Sequence, residues 1–598
     1  MKKTKNPNSE LIKTFWWLVK ICFTQAPVNS TLYLASSAFQ IGFNLFTYYA
    51  TARISALLVQ AIGGAETTYE LRKWFVIWAT SGLVAYAMYR IMQIQQQFLY
   101  YRLSLWSTKF FFSQLCKIDM SDFYDNEIRN EINRINSGFA WQIPNAGTNA
   151  LLIIQSTANT IATIVTVGIV AWWLIPLFVL LILPTFIYES KISKIGWFVW
   201  DQKDDSQHIF WGLQSIFTQA KHQFEIRALT SSKRLLTIAT KLNGDFYSRQ
   251  EQEVKKYHKL ATAGVVSQFL RESIAQAWLI TSAIAGKISL EQYFFYVGIV
   301  FKLDGALTGL FTEFARSQEG LKYANDYRQF MRHDPKLVDI KGAKKIDSKT
   351  PPVIEFVNAS FTYPGAVKPV FEDLNLKIES GQKIAIVGEN GAGKSTIIKL
   401  LMRFYKLDTG ELLIDGTNIK EINIESWLNQ VATLFQEFNH YPLTVGDNIS
   451  VSSQVQDDTR VKRSAKLAGT DKYIESLEHG YDTYLDPAFK NGVEPSGGLW
   501  QRIALARAFY RYANVIILDE PTSAIDSKAE YDIFNNIFAE HDGKTAIIVS
   551  HRFSTVRKAD RIVVLEHGEI IEDGTHELLL KKDGRYAEMF NKQAEGYR

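Results

Sequence analysis

Cysteine is scarce in this chain. Cys22 and Cys116 are the only two in 598 residues, far apart and without His or Cys companions at metal-binding spacing, so neither a disulfide framework nor a zinc site is expected. A charge surplus is missing too. Lys and Arg number 66 against 61 Asp and Glu, for a net charge of +5 with both signs interspersed, which calls for no nucleic-acid partner and suits the basic cytoplasmic face of a membrane protein. A third absence is local: positions 135–188, between Arg134 and Glu189, hold no charged residue, enough for two membrane spans of ~20 residues each.

What is present is apolar and aromatic. Hydrophobic residues make up 47% of the chain and aromatics 13%, crowded into long runs in the first half, as expected where lipid is the solvent. Trp172, Trp173 and Pro176 break the uncharged stretch at a turn in the outer interface, giving spans over 145–168 and 170–190. Residues 31–60 and 74–100 are apolar but carry Gln40, Asn44, Arg53, Arg90 and Gln93; 261–286 and 289–313 form a last pair around Gly286. Six spans are expected. The connections 101–134 and 191–260 are long and rich in Lys and Arg, those near 61–73, 172–176 and 286–289 short, so both termini and the long segments fall in the cytoplasm, the latter as helical extensions of the spans.

Lys2, Lys3 and Lys5 precede Phe15, Trp16 and Trp17, but Lys20 interrupts the apolar core and no small-residue cleavage site follows, so residues 1–30 read as an interfacial amphipathic helix rather than a secretory signal. Arg53, Arg90, Arg271, Glu272, Lys302, Asp304 and Glu313 lie in or near the spans. Ionisable groups there either line a substrate path or snorkel and pair between helices; Gln93, Gln95, Gln96 and Gln97 leave the same choice between a cavity and the cytoplasmic end of the second helix.

From 333 to 352 the sequence turns polar, with Pro335, Gly342, Pro351 and Pro352 as breakers: a linker between a membrane domain over 31–332 and a soluble domain over 353–598. The β-branched run Lys383–Val387 reads as a buried strand, and it stops at Gly388-Glu389-Asn390-Gly391-Ala392-Gly393-Lys394-Ser395, a phosphate-binding loop of the form G-x-x-x-x-G-K-[ST] ahead of a helix over Thr396–Phe404. Its glycines let the backbone close on phosphate, its N–H groups and the helix N-terminus bind the oxygens, Lys394 reaches the outer phosphates, and Ser395 ligates Mg2+. A second strand, Val515–Leu518, runs into Asp519 and Glu520, with Asp519 expected on the Mg2+ shell and Glu520 as base or water-positioning group. A third run, Ala546–Val549, ends at Ser550-His551 and places an imidazole where a γ-phosphate would lie.

Between the loop and the acidic pair stands Pro495-Ser496-Gly497-Gly498-Leu499-Trp500-Gln501-Arg502, which resembles the signature of ATP-binding cassette (ABC) transporters, Leu-Ser-Gly-Gly-Gln followed by x-Gln-Arg. The resemblance covers roughly 353–590 and implies further roles: Tyr363 stacking on adenine, Thr396 in the nucleotide set, Gln436 as the Q-loop glutamine on Mg2+ and the attacking water, Ser523–Asp526 as the D-loop, His551 as the switch histidine. Ser496, Gly497 and Gly498 would close on the γ-phosphate bound by a second subunit. Pro495 and Leu499 depart from the usual Leu and Gln, which puts the rate of that shared site in question.

The layout is similar to the exporter branch of that family: an all-α six-helix membrane domain followed by an α/β P-loop ATPase domain, one half of a dimer. Residues 118–125 resemble a first coupling helix and a second is expected near 208–216. The resemblance implies ATP and Mg2+ as cofactors, a homomeric or heteromeric second half, lipid surroundings in a plasma or inner membrane, and export of an amphipathic, lipid-like, peptide or drug-like substrate by alternating access. A lipid flippase, an ATP-gated channel or regulatory subunit, and a non-transporting ABC ATPase acting on nucleic acid or ribosomes are the alternatives.

Overall fold

The computed structural model describes residues 7–201, 205–335, 337–346, 349–521, 527–540 and 543–595. Lys2, Lys3, Lys5 and the D-loop segment Ser523–Asp526 lie outside them. The chain divides into two units, one of residues 1–117 and 130–333, the other of 118–129 and 334–598.

The first unit is helical. Its elements are α1 (Pro7–Gln25), α2 (Pro27–Ile62), α3 (Thr68–Leu115), α6 (Gln142–Ala171), α7 (Leu174–Leu181), α8 (Leu183–Asp201), α9 (Asp205–Thr218), α10 (Ala220–Ala228), α11 (Ser232–Ile284) and α12 (Leu290–Phe330); α4 (Met120–Tyr124) falls in the second unit and α5 (Asn126–Asn136) crosses the division. At 1.5 Å per residue the 48 residues of α3 rise ~72 Å and the 53 of α11 ~80 Å, well over twice a ~30 Å hydrocarbon core.

Among the described residues, five segments are long and apolar enough to cross a membrane: Pro27–Ile62, Thr68–Leu115, Gln142–Ile169, Leu174–Ser193 and Leu290–Phe330. The expected span over 261–286 is not among them. It is the C-terminal part of α11, where Gln268, Arg271, Glu272 and Gln276 depress the hydropathy of every window. The structure compensates the costliest of these. Arg271 is 1% exposed; its Nε donates to Asp304 Oδ1 of α12 at 2.6 Å and its Nη1 to Leu181 O at 2.9 Å and Ser267 Oγ at 3.2 Å. That carbonyl sits beside Ile182, where α7 gives way to α8 two residues ahead of Pro184, whose missing N–H interrupts the helical ladder.

The N-terminal helix packs one face on α12 and leaves Ile12 and Trp16 exposed on another. Thr14, Leu18 and Cys22 of α1 are buried, Thr14 Oγ1 donates to Asn325 Oδ1 at 3.2 Å and accepts from Arg328 at 3.0 Å, so one face of α1 is sealed onto α12.

The second unit holds two sheets. The smaller has the order β2-β1-β4-β5, from β1 (Ile354–Phe361), β2 (Phe371–Ile378), β4 (Thr409–Ile414) and β5 (Thr417–Asn418). The larger has the order β10-β9-β3-β8-β7-β6, from β3 (Lys383–Gly388), β6 (Val431–Leu434), β7 (Val515–Asp519), β8 (Thr545–Val549), β9 (Arg561–Glu566) and β10 (Glu569–Gly574). Strands β6, β7, β8, β3 and β9 are parallel, and β7 and β8 are buried along their whole length, which explains their largely apolar, Val- and Ile-rich sequence. Parallel register puts the residues that follow β3, β6, β7 and β8 at one edge. That edge is where open α/β sheets take ligands.

Candidate nucleotide site

The phosphate loop leaves β3 at Gly388 and enters the helix Lys394–Leu401. Gly388 lies at φ +153°, where a Cβ would strike the Leu565 carbonyl of β9; Gly393 lies at φ +105°, where one would strike the Phe371 ring. Only glycine fits either place. Lys394 folds back over the loop, its Nζ donating to the carbonyls of Gly388 and Glu389 at 2.8 Å each. Burial holds this ammonium below its ordinary 10.5, against the opposing pull of Glu520 and Asp519.

Asp519 ends β7 and is buried, which raises its carboxyl above the ordinary range, while a hydrogen bond from Ser395 draws it back down. Glu520 follows with φ +49°, a left-handed conformation that is costly for a non-glycine residue and is overdetermined here. Its N–H donates to Val549 O at 2.8 Å and its own carbonyl accepts from Gln501 Nε2 at 3.0 Å. The carboxylate is shared: Oε2 accepts from Gln436 Nε2 at 3.0 Å, and Oε1 lies 3.1 Å from His551 Nε2. Burial, then the Lys394 charge, holds the imidazole below its ordinary 6.5, with Glu520 acting the other way. His551 is therefore neutral at pH 7.

Lys394, Ser395, Asp519, Glu520, Gln436 and His551 thus form one linked cluster at the carboxyl edge of the large sheet. Tyr363 stands on the flank of the loop: its hydroxyl is 3.0 Å from Thr396 Oγ1, and Phe361 and Tyr405 fix its ring edge-on at 5.0 and 5.3 Å. Ser496, Gly497 and Gly498 stand apart, at the N-terminus of the helix Gly497–Arg511, and no hydrogen bond joins them to the phosphate loop. Ser496 and Gly497 are exposed.

The two departures from the signature have a packing explanation. Pro495 is buried, and Leu499 is 4% exposed within the apolar cluster that includes Leu434, Ile503 and Leu518, so a leucine side chain fits where an amide would need partners. Trp500 beside it stacks flat on His440, rings 4.3 Å apart and 2° from parallel.

Three contributors were not singled out from sequence. Gln501 holds the Glu520 backbone, although its place beside the signature glycines marked it. Arg507, one turn and a half further on, donates to Asn439 O at 2.7 Å, Asn448 O at 2.9 Å and Asn448 Oδ1 at 2.6 Å, tying the segment after Gln436 to the signature helix. Arg585 pairs with Glu389 of the phosphate loop from almost two hundred positions away, and no local pattern announces it.

Comparison with known proteins bears on the whole arrangement. Residues 371–523 match the family model described as ABC transporter. The chain is 29% identical over 482 residues to the subtilin transport ATP-binding protein SpaT of Bacillus subtilis, covering 79% of this chain and 76% of that one. It is 40% identical over 251 residues, 42% of this chain and 43% of the relative, to the ATP-dependent lipid A-core flippase of Escherichia coli K12. A solved structure of a bacterial Atm1-family ABC exporter with ATP bound superimposes with a TM-score of 0.79 at 22% identity, over 94% of this chain and 98% of that one.

Proposed function

We propose that this chain is an ABC transporter half of the exporter type, a multi-pass membrane protein whose ATP hydrolysis drives export, and that its residues divide the work as follows. ATP lies on the loop Gly388–Ser395 with its base on Tyr363 and its outer phosphates on Lys394. Glu520 positions and deprotonates the attacking water, His551 senses the γ-phosphate, and Gln436 links the two to the rest of the domain. Ser496, Gly497 and Gly498 serve the nucleotide of the opposite half, so the working unit is a dimer, homomeric or with a related second chain. The single observation that carries this reading is the carboxylate of Glu520 held between Gln436 and His551 at the edge where the phosphate loop begins.

Magnesium fits the same edge. Ser395, Asp519 and Gln436 offer a hydroxyl, a carboxylate and an amide oxygen, an all-oxygen set suited to a hard cation that arrives with phosphate. When bound, the ion offsets the charge of the phosphate oxygens; the remaining orientation of the water falls to Glu520 and Gln436.

We propose the domain division 1–30, 31–332, 333–352 and 353–598, with the C-terminal part of α11 as the sixth span, both termini and the ATPase in the cytoplasm, and the protein in a plasma or inner membrane. The grouping of 118–129 with the ATPase unit supports a coupling helix there, where the Asp119 carboxylate accepts the Leu337 N–H at 3.1 Å; α9 spans the region expected for the second. The cargo is an amphipathic lipid-like or peptide-like molecule, a lipid being the reading that the relatives named lipid A-core flippase support. Reconstituted in vesicles, the protein is expected to show ATPase activity stimulated by its cargo in a screen of lipids, peptides and hydrophobic drugs, and ATP-dependent movement of that cargo against its gradient. A gate that opens on ATP without uphill movement would replace export with the channel reading.

A further inference from the structure

The last described helix, Arg585–Glu595, has no part in the machinery above, yet it touches that machinery at both ends. At its start, the N–H groups of Arg585 and Tyr586 each donate to the Glu572 carboxylate at 2.9 Å. The Arg585 guanidinium pairs with Glu389 of the phosphate loop, with Glu566 at 3.3 Å and with Glu588 at 2.6 Å. Two turns further along, Gln593 Nε2 donates to the His551 carbonyl at 3.1 Å, and its Oε1 accepts the Phe553 N–H at 3.0 Å. Between these ends the helix is seated by fully buried Tyr586 and by Phe590, whose rings meet Phe553 edge-on at 5.3 and 5.5 Å.

Such a geometry matters because of how His551 is held. Its side chain is 41% exposed, so packing alone does not fix its direction, and its aim at Glu520 follows from the backbone that carries it. One planar carboxamide grips that backbone at the His551 carbonyl and again two residues on, at the Phe553 N–H. A displacement of a reacting or orienting group by about 1 Å is enough to cost orders of magnitude in rate.

We propose that Gln593 is a positioning residue for ATP hydrolysis: it fixes the main chain around His551 so that Nε2 meets Glu520, while Arg585 fixes the phosphate loop from the same helix. The proposal rests on the reading that Glu520 and His551 act in hydrolysis. The terminal helix then acts as a splint between the two sides of the γ-phosphate, and Gln593 works through His551 without touching nucleotide.

The test uses the full-length protein in lipid vesicles. Gln593→Ala is expected to lower kcat about tenfold and leave the KM for ATP within about twofold, since Tyr363 and Lys394 are untouched. Gln593→Glu, which keeps the length and the acceptor for Phe553 N–H but sets a carboxylate oxygen against the His551 carbonyl, is expected to lower kcat at least as much, with the same split. In a His551→Ala background, adding Gln593→Ala should change the residual phosphate release by less than about twofold, because residues acting as a unit are not additive. Normal kcat in both Gln593 variants, or an undiminished tenfold loss in the His551→Ala background, overturns the proposal. Wild-type turnover in His551→Ala alone would instead overturn the underlying reading of the site.

Discussion

Glu520 and His551 stand 3.1 Å apart, Oε1 to Nε2, although the helix Ser527–Glu540 and strand β8 lie between them in the chain; parallel pairing of Asp519 with Val549 is what brings them together. Because the imidazole is held neutral, Nε2–H donates to the carboxylate and leaves it negative and available to a water.

The pH dependence of turnover follows. The His551 pKa is held below its ordinary 6.5, so the ring is mostly neutral at pH 7 and gains its proton as pH falls further into the acid range. The charged ring then draws the Glu520 carboxylate into an ion pair and away from the water. ATPase activity is expected to fall on the acid side below pH 6.5 and to hold between 6.5 and 8; a His551→Gln variant, with no proton to gain, should lose part of that acid limb. Initial rates across pH at saturating ATP check this.

Lys394 has its ammonium caged by two carbonyls and depressed by burial, a donor already desolvated and directed into the loop. Replacing it with Ala removes one charge-assisted hydrogen bond, worth about 1.5–3 kcal/mol. ATP affinity in Lys394→Ala should fall about 10- to 100-fold, measured by equilibrium binding with turnover blocked.

Gly388 has no room for a methyl group because the Leu565 carbonyl faces it across the β3–β9 pairing. Gly388→Ala should destabilise the protein by at least about 2 kcal/mol through strain alone. A lowered Tm with loss of ATP binding is the expected outcome.

In the membrane unit, Arg271 and Asp304 form a buried pair, the guanidinium donating as well to Leu181 O and Ser267 Oγ. Removing one member strands the other, at a cost of about 3–5 kcal/mol, whereas removing both is cheaper. Arg271→Ala should melt well below the parent, and Arg271→Ala with Asp304→Ala should recover much of the difference in lipid.

Much of this site was legible in the chain because its parts are contiguous: the loop follows a strand directly, and Asp519, Glu520 and His551 each end an apolar run. What local sequence conceals is long-range support. Gln501, Arg585 and Gln593 act on residues 19, 196 and 42 positions away, and nothing in their neighbourhoods states the partner. Expected helix Thr396–Phe404 begins earlier, at Lys394, and ends earlier, at Leu401, because Gly393 makes the turn and Arg403 sits at φ +55°. Arg271 explains why the expected span over 261–286 forms a helix yet is weak in hydropathy: its charge is met by a partner 33 positions away, which no window can count.

The assignment of Glu520 is tested most directly by ATP turnover in Glu520→Gln. The amide keeps the shape and the contacts with Gln436 but cannot take a proton from water, so phosphate release should fall by a factor of about 10² to 10⁴ while ATP still binds and holds the two halves together. Turnover at the parent rate would contradict it.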